Sequence, residues 1–107
     1  MFGLKDAHIE QIKQKLALFP EIIEATIFGS RAIGNFKKGS DIDLALKGEK
    51  VTRKIVDRVR IELEEKTQLP YFFDIVAYDT LKNVELLKHI NTFGKKLYTL
   101  SREVDEA

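Results

Sequence analysis

Two aspartates, Asp41 and Asp43, stand inside the apolar segment "SDIDLALK". Residues i and i+2 of a β-strand project to the same face, roughly 6.5 Å apart along the backbone. Two carboxylates placed side by side repel each other, and one of them normally takes up a proton. A divalent cation removes this conflict, because carboxylate oxygens are ligands that Mg²⁺ prefers. The pair therefore predicts a metal site; two solvated side chains on a half-exposed strand are the alternative.

A third acid, Asp74, interrupts the apolar run "YFFDIVAY". A bare carboxylate among aromatic and aliphatic neighbours is unfavourable to bury. If its strand lies beside the strand of Asp41 and Asp43, the lateral spacing is about 4.8 Å. Three carboxylates could then hold two metal ions about 3.5–4 Å apart, which would activate an attacking oxygen and stabilise a leaving pyrophosphate. An acid bonded to backbone or arginine at a strand edge is the alternative.

Gly29 and Ser30 follow directly after the apolar segment "IIEATIF". A glycine lets a phosphate approach the backbone closely, and the N–H groups that follow, with the serine hydroxyl, can donate to it. We predict that this turn holds the triphosphate whose metals the aspartates bind. Arg31 and Ser40 are predicted to belong to the same nucleotide-binding group. The alternative for Arg31 is a structural role, and the alternative for Ser40 is to cap or orient its loop.

The surrounding segments predict an α/β (α+β) fold, a small mixed β-sheet with packed helices. Hydrophobic spacing predicts helices in "DAHIEQIKQKLALFP", in residues 51–66 and in "TLKNVELLKHINTFG". Strands are predicted over about residues 22–28, in "SDIDLALK", in "LPYFFDIVAYD" and, at an edge, in "KKLYTL"; a short helix after Ser30 ends at Gly34. The short connection between the first two strands favours an antiparallel pair.

Composition limits the class of protein. The 107 residues predict a single domain, 1–107, and 33% charged residues with a net charge of +1 disfavour direct nucleic-acid binding. The absence of cysteine excludes disulfides and thiolate metal sites. No run approaches the roughly 20 apolar residues of a membrane span, so we expect a soluble cytoplasmic domain. His89 shows no metal-ligand spacing and is expected on the surface of its helix. The tail, residues 101–107, is expected to fray.

The segment "GSRAIGNFKKGSDIDLAL" resembles the signature of the DNA polymerase beta-like nucleotidyltransferase superfamily. In that signature a Gly-Ser is followed, after about ten residues, by Asp-apolar-Asp-apolar, and the forms here are most similar to its minimal branch, the MntA-like antitoxins. The resemblance implies a nucleotidyltransferase-like fold with Gly29 and Ser30 on the nucleotide phosphates. It also implies two Mg²⁺ ions at Asp41, Asp43 and Asp74, with Asp74 as the base-side carboxylate for the attacking hydroxyl.

The same resemblance implies a reaction and a partner. The superfamily transfers a nucleoside monophosphate, often AMP from ATP, to a hydroxyl group. Members of the minimal branch pair with a HEPN-domain toxin, and some silence that toxin by transferring AMP to one of its tyrosines. The resemblance thus implies an ATP-dependent antitoxin in a hetero-oligomer with a HEPN toxin, away from membranes. The alternative is a catalytically idle nucleotide-binding subunit that neutralises its partner by contact alone.

Overall fold

The structure is a computed structural model that describes residues 1–37 and 39–100. Its elements, in chain order, are α1 (Asp6–Leu16), β1 (Glu24–Phe28), α2 (Ser30–Ile33), β2 (Ile42–Lys47), α3 (Arg53–Glu64), β3 (Phe73–Ala77), a 3₁₀ helix (Tyr78–Thr80), α4 (Val84–Phe93) and β4 (Lys95–Thr99). Every predicted helix and strand is present, and the 3₁₀ helix was not predicted. The prediction for the tail, residues 101–107, lies outside the described residues.

Four strands form one mixed sheet in the order β3-β2-β1-β4. β2 pairs antiparallel with β1 and parallel with β3. β4 pairs antiparallel with the other side of β1, with a register shift between Ala25 and Thr26. The predicted mixed α/β fold with an antiparallel first pair is therefore confirmed. Because β2 lies between β1 and β3, its side chains can meet those of both neighbours.

The core lies between one face of the sheet and the helices α1 and α3. β2 contributes Ile42, Leu44 and Leu46, all fully buried. The two helices contribute an apolar stripe that is also fully buried: Ile12, Leu16, Val59 and Leu63. Burying each such side chain contributes about 1.5–3 kcal/mol. This packing fixes the alternation of β2, so that the odd-numbered residues project from the opposite face.

The opposite face of the sheet is covered in part by α4. Phe28, Ala45 and Ile90 form a second apolar cluster there. The start of α4 is fixed by Asn83, whose side chain accepts a hydrogen bond from the Leu86 N–H at 3.0 Å. No helix within residues 1–37 and 39–100 combines the length and the apolar character that a membrane span requires. The end of this face that carries the predicted acids remains open, since Asp41 and Asp74 are exposed.

Candidate active site

The predicted acids lie on two neighbouring parallel strands. Asp43 of β2 and Asp74 of β3 are Cα partners in the β2–β3 register. Paired strands lie about 4.8 Å apart, so the two carboxylates leave the same face as neighbours. Asp41 immediately precedes β2 and, two residues from Asp43, belongs to the same face. The strand pairing on which the three-acid prediction depended is therefore present.

Asp43 is the acid of this group whose ionisation is disfavoured by its surroundings. This side chain is half-buried, whereas Asp41 and Asp74 are exposed. Burial, followed by the negative charges of Asp74 and Asp41, raises the pKa of Asp43 from 3.8 to about 6; the positive charge that His89 carries when protonated acts in the opposite direction. A cation bound among these carboxylates would favour the ionised form and relieve the repulsion.

The donor set fits a hard divalent cation. Carboxylate oxygens suit Mg²⁺, which usually binds one or two carboxylates and completes its shell with water and substrate phosphates. Within the described part of the chain, no group of three or more His, Asp or Glu side chains is arranged so that it could hold a metal ion. One or two carboxylates are nevertheless enough for a Mg²⁺ ion that substrate phosphates also coordinate. The acids at this edge are thus a candidate metal-binding group that needs further ligands from a substrate.

Gly29 brings the glycine-serine turn against the acids. The β1–β2 register pairs Phe28 with Asp43, so the turn begins beside the half-buried carboxylate. Gly29 has φ 73° and ψ −156°, a conformation that residues with a side chain rarely adopt. A Cβ at this position would overlap the Oδ2 of Asp43. The backbone conformation therefore requires glycine here, and any side chain at this position would also displace the Asp43 carboxylate.

Ser30 opens the four-residue helix α2 directly after this turn. The helix ends at Gly34, which has φ 100° and whose N–H donates to the Ser30 carbonyl at 2.8 Å. The Ser30 side chain is half-buried, and among residues 1–37 and 39–100 its hydroxyl has no hydrogen-bond partner. That hydroxyl is therefore available to a ligand next to the Asp43 carboxylate.

Arg31 occupies a different place from the one predicted. Its side chain is buried, with 3% relative exposure, and its Nε and Nη2 donate to the Ser40 carbonyl at 3.1 and 2.9 Å. Its Nη1 donates to the Phe2 carbonyl at 2.9 Å. The guanidinium also lies over the rings of Phe36 and Tyr71, 5.0 and 5.2 Å from their centroids. With its nitrogens bound to protein, Arg31 braces the loop before Asp41 instead of facing a phosphate.

Ser40 is the residue that Arg31 holds in this loop. Its hydroxyl accepts a hydrogen bond from the Lys37 N–H at 2.9 Å, while its carbonyl accepts the two bonds from Arg31. Of the two roles predicted for Ser40, the structure therefore displays the loop-capping one. The brace fixes the backbone immediately before Asp41.

His89 is a site residue that the sequence interpretation missed. Its Nε2 accepts a hydrogen bond from the backbone N–H of Gly29 at 2.9 Å. The imidazole packs edge-on against Phe28, with centroids 6.0 Å apart, and lies 5.4 Å from the ring of Phe93. The surface placement expected for His89 was therefore wrong. Its spacing of three residues from Leu86 and four from Phe93 puts it on the apolar stripe of α4, and that signal was available.

A cavity of about 620 Å³ lies elsewhere on the molecule, lined in part by Lys47 and Gly48. In the β1–β2 register, Glu24 pairs with Lys47 at one end and Phe28 with Asp43 at the other. The cavity is therefore at the opposite end of this strand pair from the acids. Its size does not make it the better candidate, because the convergent carboxylates and the glycine turn are at the other end.

Residues 10–103 match the family described as Polymerase beta, Nucleotidyltransferase. The chain belongs to this family. The match includes the glycine-serine turn and all three acids of the candidate site. Nucleotidyltransferases of this superfamily generally use divalent metals, in keeping with the carboxylate group described above.

Several solved structures are similar to this nucleotidyltransferase domain, and no curated protein matches it in sequence. One is a toxin-antitoxin with AMP-PNP: 23% identity, TM-score 0.69, covering 90% of this chain and 74% of the other. Another contains a tri-AMPylated Shewanella oneidensis HEPN toxin in complex with MNT antitoxin: 20% identity, TM-score 0.68, 90% and 73% coverage. A third is the toxin-antitoxin MntA-HepT: 21% identity, TM-score 0.68, 89% and 73% coverage. These likenesses show that the fold is shared.

Proposed function

We propose that this chain transfers AMP from ATP to a hydroxyl group of a partner protein. The observation that carries the proposal is the position of Asp43, which is paired with Asp74 on one side and lies against Gly29 on the other. This position supports a single site in which the carboxylates hold metal and the glycine-serine turn holds phosphate. The family membership supports nucleotidyl transfer as the reaction.

In this proposal Asp41, Asp43 and Asp74 would hold two Mg²⁺ ions together with the nucleotide phosphates. When bound, the ions supply charge neutralisation for the phosphates and activation of the attacking oxygen. Ser30 donates its hydroxyl to a phosphate oxygen, and the missing side chain of Gly29 leaves room beside Asp43. The exposed carboxylate of Asp74 accepts the proton of the attacking hydroxyl. A bond forms between that oxygen and the α-phosphorus, the bond to the bridging oxygen breaks, and pyrophosphate leaves beside Ser30.

The partner that we propose is a HEPN-domain toxin, with a tyrosine as the acceptor, in a hetero-oligomer in the cytoplasm. Two similar structures are toxin-antitoxin pairs, and another contains an AMPylated HEPN toxin. Apolar side chains also remain uncovered around the site. Phe72 has 72% relative exposure and precedes the strand of Asp74, and Phe93, whose ring lies beside His89, has 46%. Such a surface suits a protein that brings its own acceptor to the open carboxylates.

Co-expression with the adjacent reading frame, followed by intact-mass analysis of the co-purified partner, tests this function. We expect the partner to gain the mass of one or more AMP units with the wild type and none with Asp41→Asn. The matched control is Asp79→Asn, which neutralises an exposed acid of the 3₁₀ helix and should leave the transfer unchanged. A partner that binds the wild type but never gains mass would favour the contact-only antitoxin instead.

A further inference from the structure

We infer that His89 is a positioning residue for the nucleotide site. Its Nε2 holds the backbone N–H of Gly29, and this bond keeps the turn in the conformation that presents Ser30 to the phosphates. The inference rests on the proposed function for its link to ATP, but the bond itself can be tested without nucleotide. The two residues are 60 positions apart, so the bond joins α4 to the turn between β1 and α2.

The direction of this hydrogen bond determines the form of the imidazole. The backbone N–H of Gly29 can only donate, so Nε2 of His89 has to accept. In a neutral imidazole the proton is then on Nδ1. The bond requires only a hydrogen-bond acceptor at this position, so a side chain with an amide oxygen could replace the imidazole.

The acceptor is held in place by α4 and not by an exposed loop. The ring lies between Phe28, the last residue of β1, and Phe93, the last residue of α4. The helix itself is anchored through the buried Ile90. His89 therefore reaches the turn from a packed element, as a positioning group should.

Gly29 needs such a partner because it has no side chain to restrict its backbone. Glycine populates more of φ/ψ space than any other residue, so a free turn here would sample many conformations. The Gly29 carbonyl already accepts bonds from the N–H groups of Ala32 and Ile33, at 3.1 and 3.2 Å. With its N–H bound to His89, both polar groups of Gly29 are used within the protein. The Gly29 N–H is therefore not free for a phosphate, so the phosphate contact in the proposed function falls to Ser30, while Gly29 supplies shape.

Two substitutions of His89 distinguish the role of its hydrogen-bond acceptor from the role of its ring in packing. His89→Leu keeps a similar volume but removes the acceptor, and His89→Gln supplies an amide oxygen that can accept the same bond. Phe93→Leu is the control for packing, since it trims a ring neighbour and leaves the acceptor in place. In nucleotide-free protein, amide hydrogen exchange at Gly29 should be slow in the wild type, His89→Gln and Phe93→Leu, and fast in His89→Leu. Imidazole ¹⁵N shifts of the wild type should show the proton on Nδ1.

Calorimetry with ATP and Mg²⁺, and transfer kinetics with the partner, give the second measurement. We expect His89→Leu to weaken ATP affinity and raise its KM about tenfold, with kcat changed less than about twofold, because the chemical groups remain. His89→Gln should restore the affinity, and Phe93→Leu should bind ATP like the wild type. If His89→Leu does not fold, His89→Asn takes its place, since its amide is too short to make the bond and should give the same loss.

The outcomes distinguish the two proposals. Affinity in His89→Leu equal to the wild type would overturn the positioning role, and tighter binding would mean that His89 competes with the phosphates for the Gly29 N–H. A wild type that binds no ATP would refute the proposed function. In that case the exchange rate at Gly29 still decides whether His89 holds the turn.

Discussion

Replacing Asp43 by asparagine should stabilise the fold and abolish nucleotidyl transfer. Burial and the charges of Asp74 and Asp41 raise the pKa of Asp43 from 3.8 to about 6. At about 1.36 kcal/mol for each pH unit, ionising this carboxyl in the folded protein opposes folding by at most about 3 kcal/mol. Solvent screening at this half-exposed group reduces the expected value to about 1–2 kcal/mol. Asparagine cannot ionise, so it removes this unfavourable contribution to the free energy of folding, and it also removes a metal ligand.

The sign of the pH dependence follows from the raised pKa. Between pH 3.8 and about 6 the folded protein binds this proton more tightly than the unfolded chain does. The free energy of unfolding therefore falls as the pH rises through that window and stays lowered above it. Asp43→Asn lacks this effect, so it should exceed the wild type in stability at about pH 7.5, and the difference should fade towards pH 3.8.

Urea unfolding at about pH 4 and about pH 7.5, with a chelator present, measures the effect. Asp79→Asn is the control, since it neutralises an acid outside the group at Asp43. Adding Mg²⁺ should then stabilise the wild type more than Asp43→Asn, because a ligand stabilises the state that binds it. Equal or lower stability of Asp43→Asn at about pH 7.5 would refute the electrostatic account, and retained transfer activity would refute the metal role.

Three further substitutions test the remaining parts of the site. Ser30→Ala should weaken ATP binding by about 1.5–3 kcal/mol in calorimetry while urea unfolding changes little; equal affinities would mean that the serine only begins its helix. Gly29→Ala should lower stability and ATP affinity together, because the new Cβ overlaps Asp43, and wild-type values for both would contradict this contact. Arg31→Lys should reduce the free energy of unfolding by about 2 kcal/mol, because it loses its paired bonds to Ser40. Loss of ATP affinity at unchanged stability would instead restore the predicted phosphate contact of Arg31.

Much of the site followed from local patterns. The alternation of Ile42 and Leu44 with Asp41 and Asp43 indicates which side chains leave the core, because the strand period fixes the face. Glycine before a serine at the end of an apolar run indicates a turn. The sequence predicts Asp74 beside Asp43 only on the condition that their strands are neighbours. Sequence patterns do not reveal which strands pair. The structure meets that condition through the parallel β2–β3 pairing.

The parts that sequence could not supply are contacts between distant segments. Arg31 appears beside the glycine-serine turn in the chain, which suggested phosphate, yet its side chain turns inward to the carbonyls of Phe2 and Ser40. The spacing of α4 could have placed His89 on the apolar stripe of that helix, but nothing local indicates that α4 crosses the turn at Gly29. Both were assigned from their neighbours in sequence, and both are placed by packing.

The central claim is that the three acids and the glycine-serine turn form one nucleotide and metal site. The most direct test is a crystal structure of the chain with AMP-PNP and Mn²⁺, whose anomalous signal locates the metal. We expect metal bound by Asp41 and Asp43, with Asp74 beside it and the phosphates against the Ser30 hydroxyl. Nucleotide bound in the cavity beside Lys47 and Gly48, with no metal at the acids, would contradict the account.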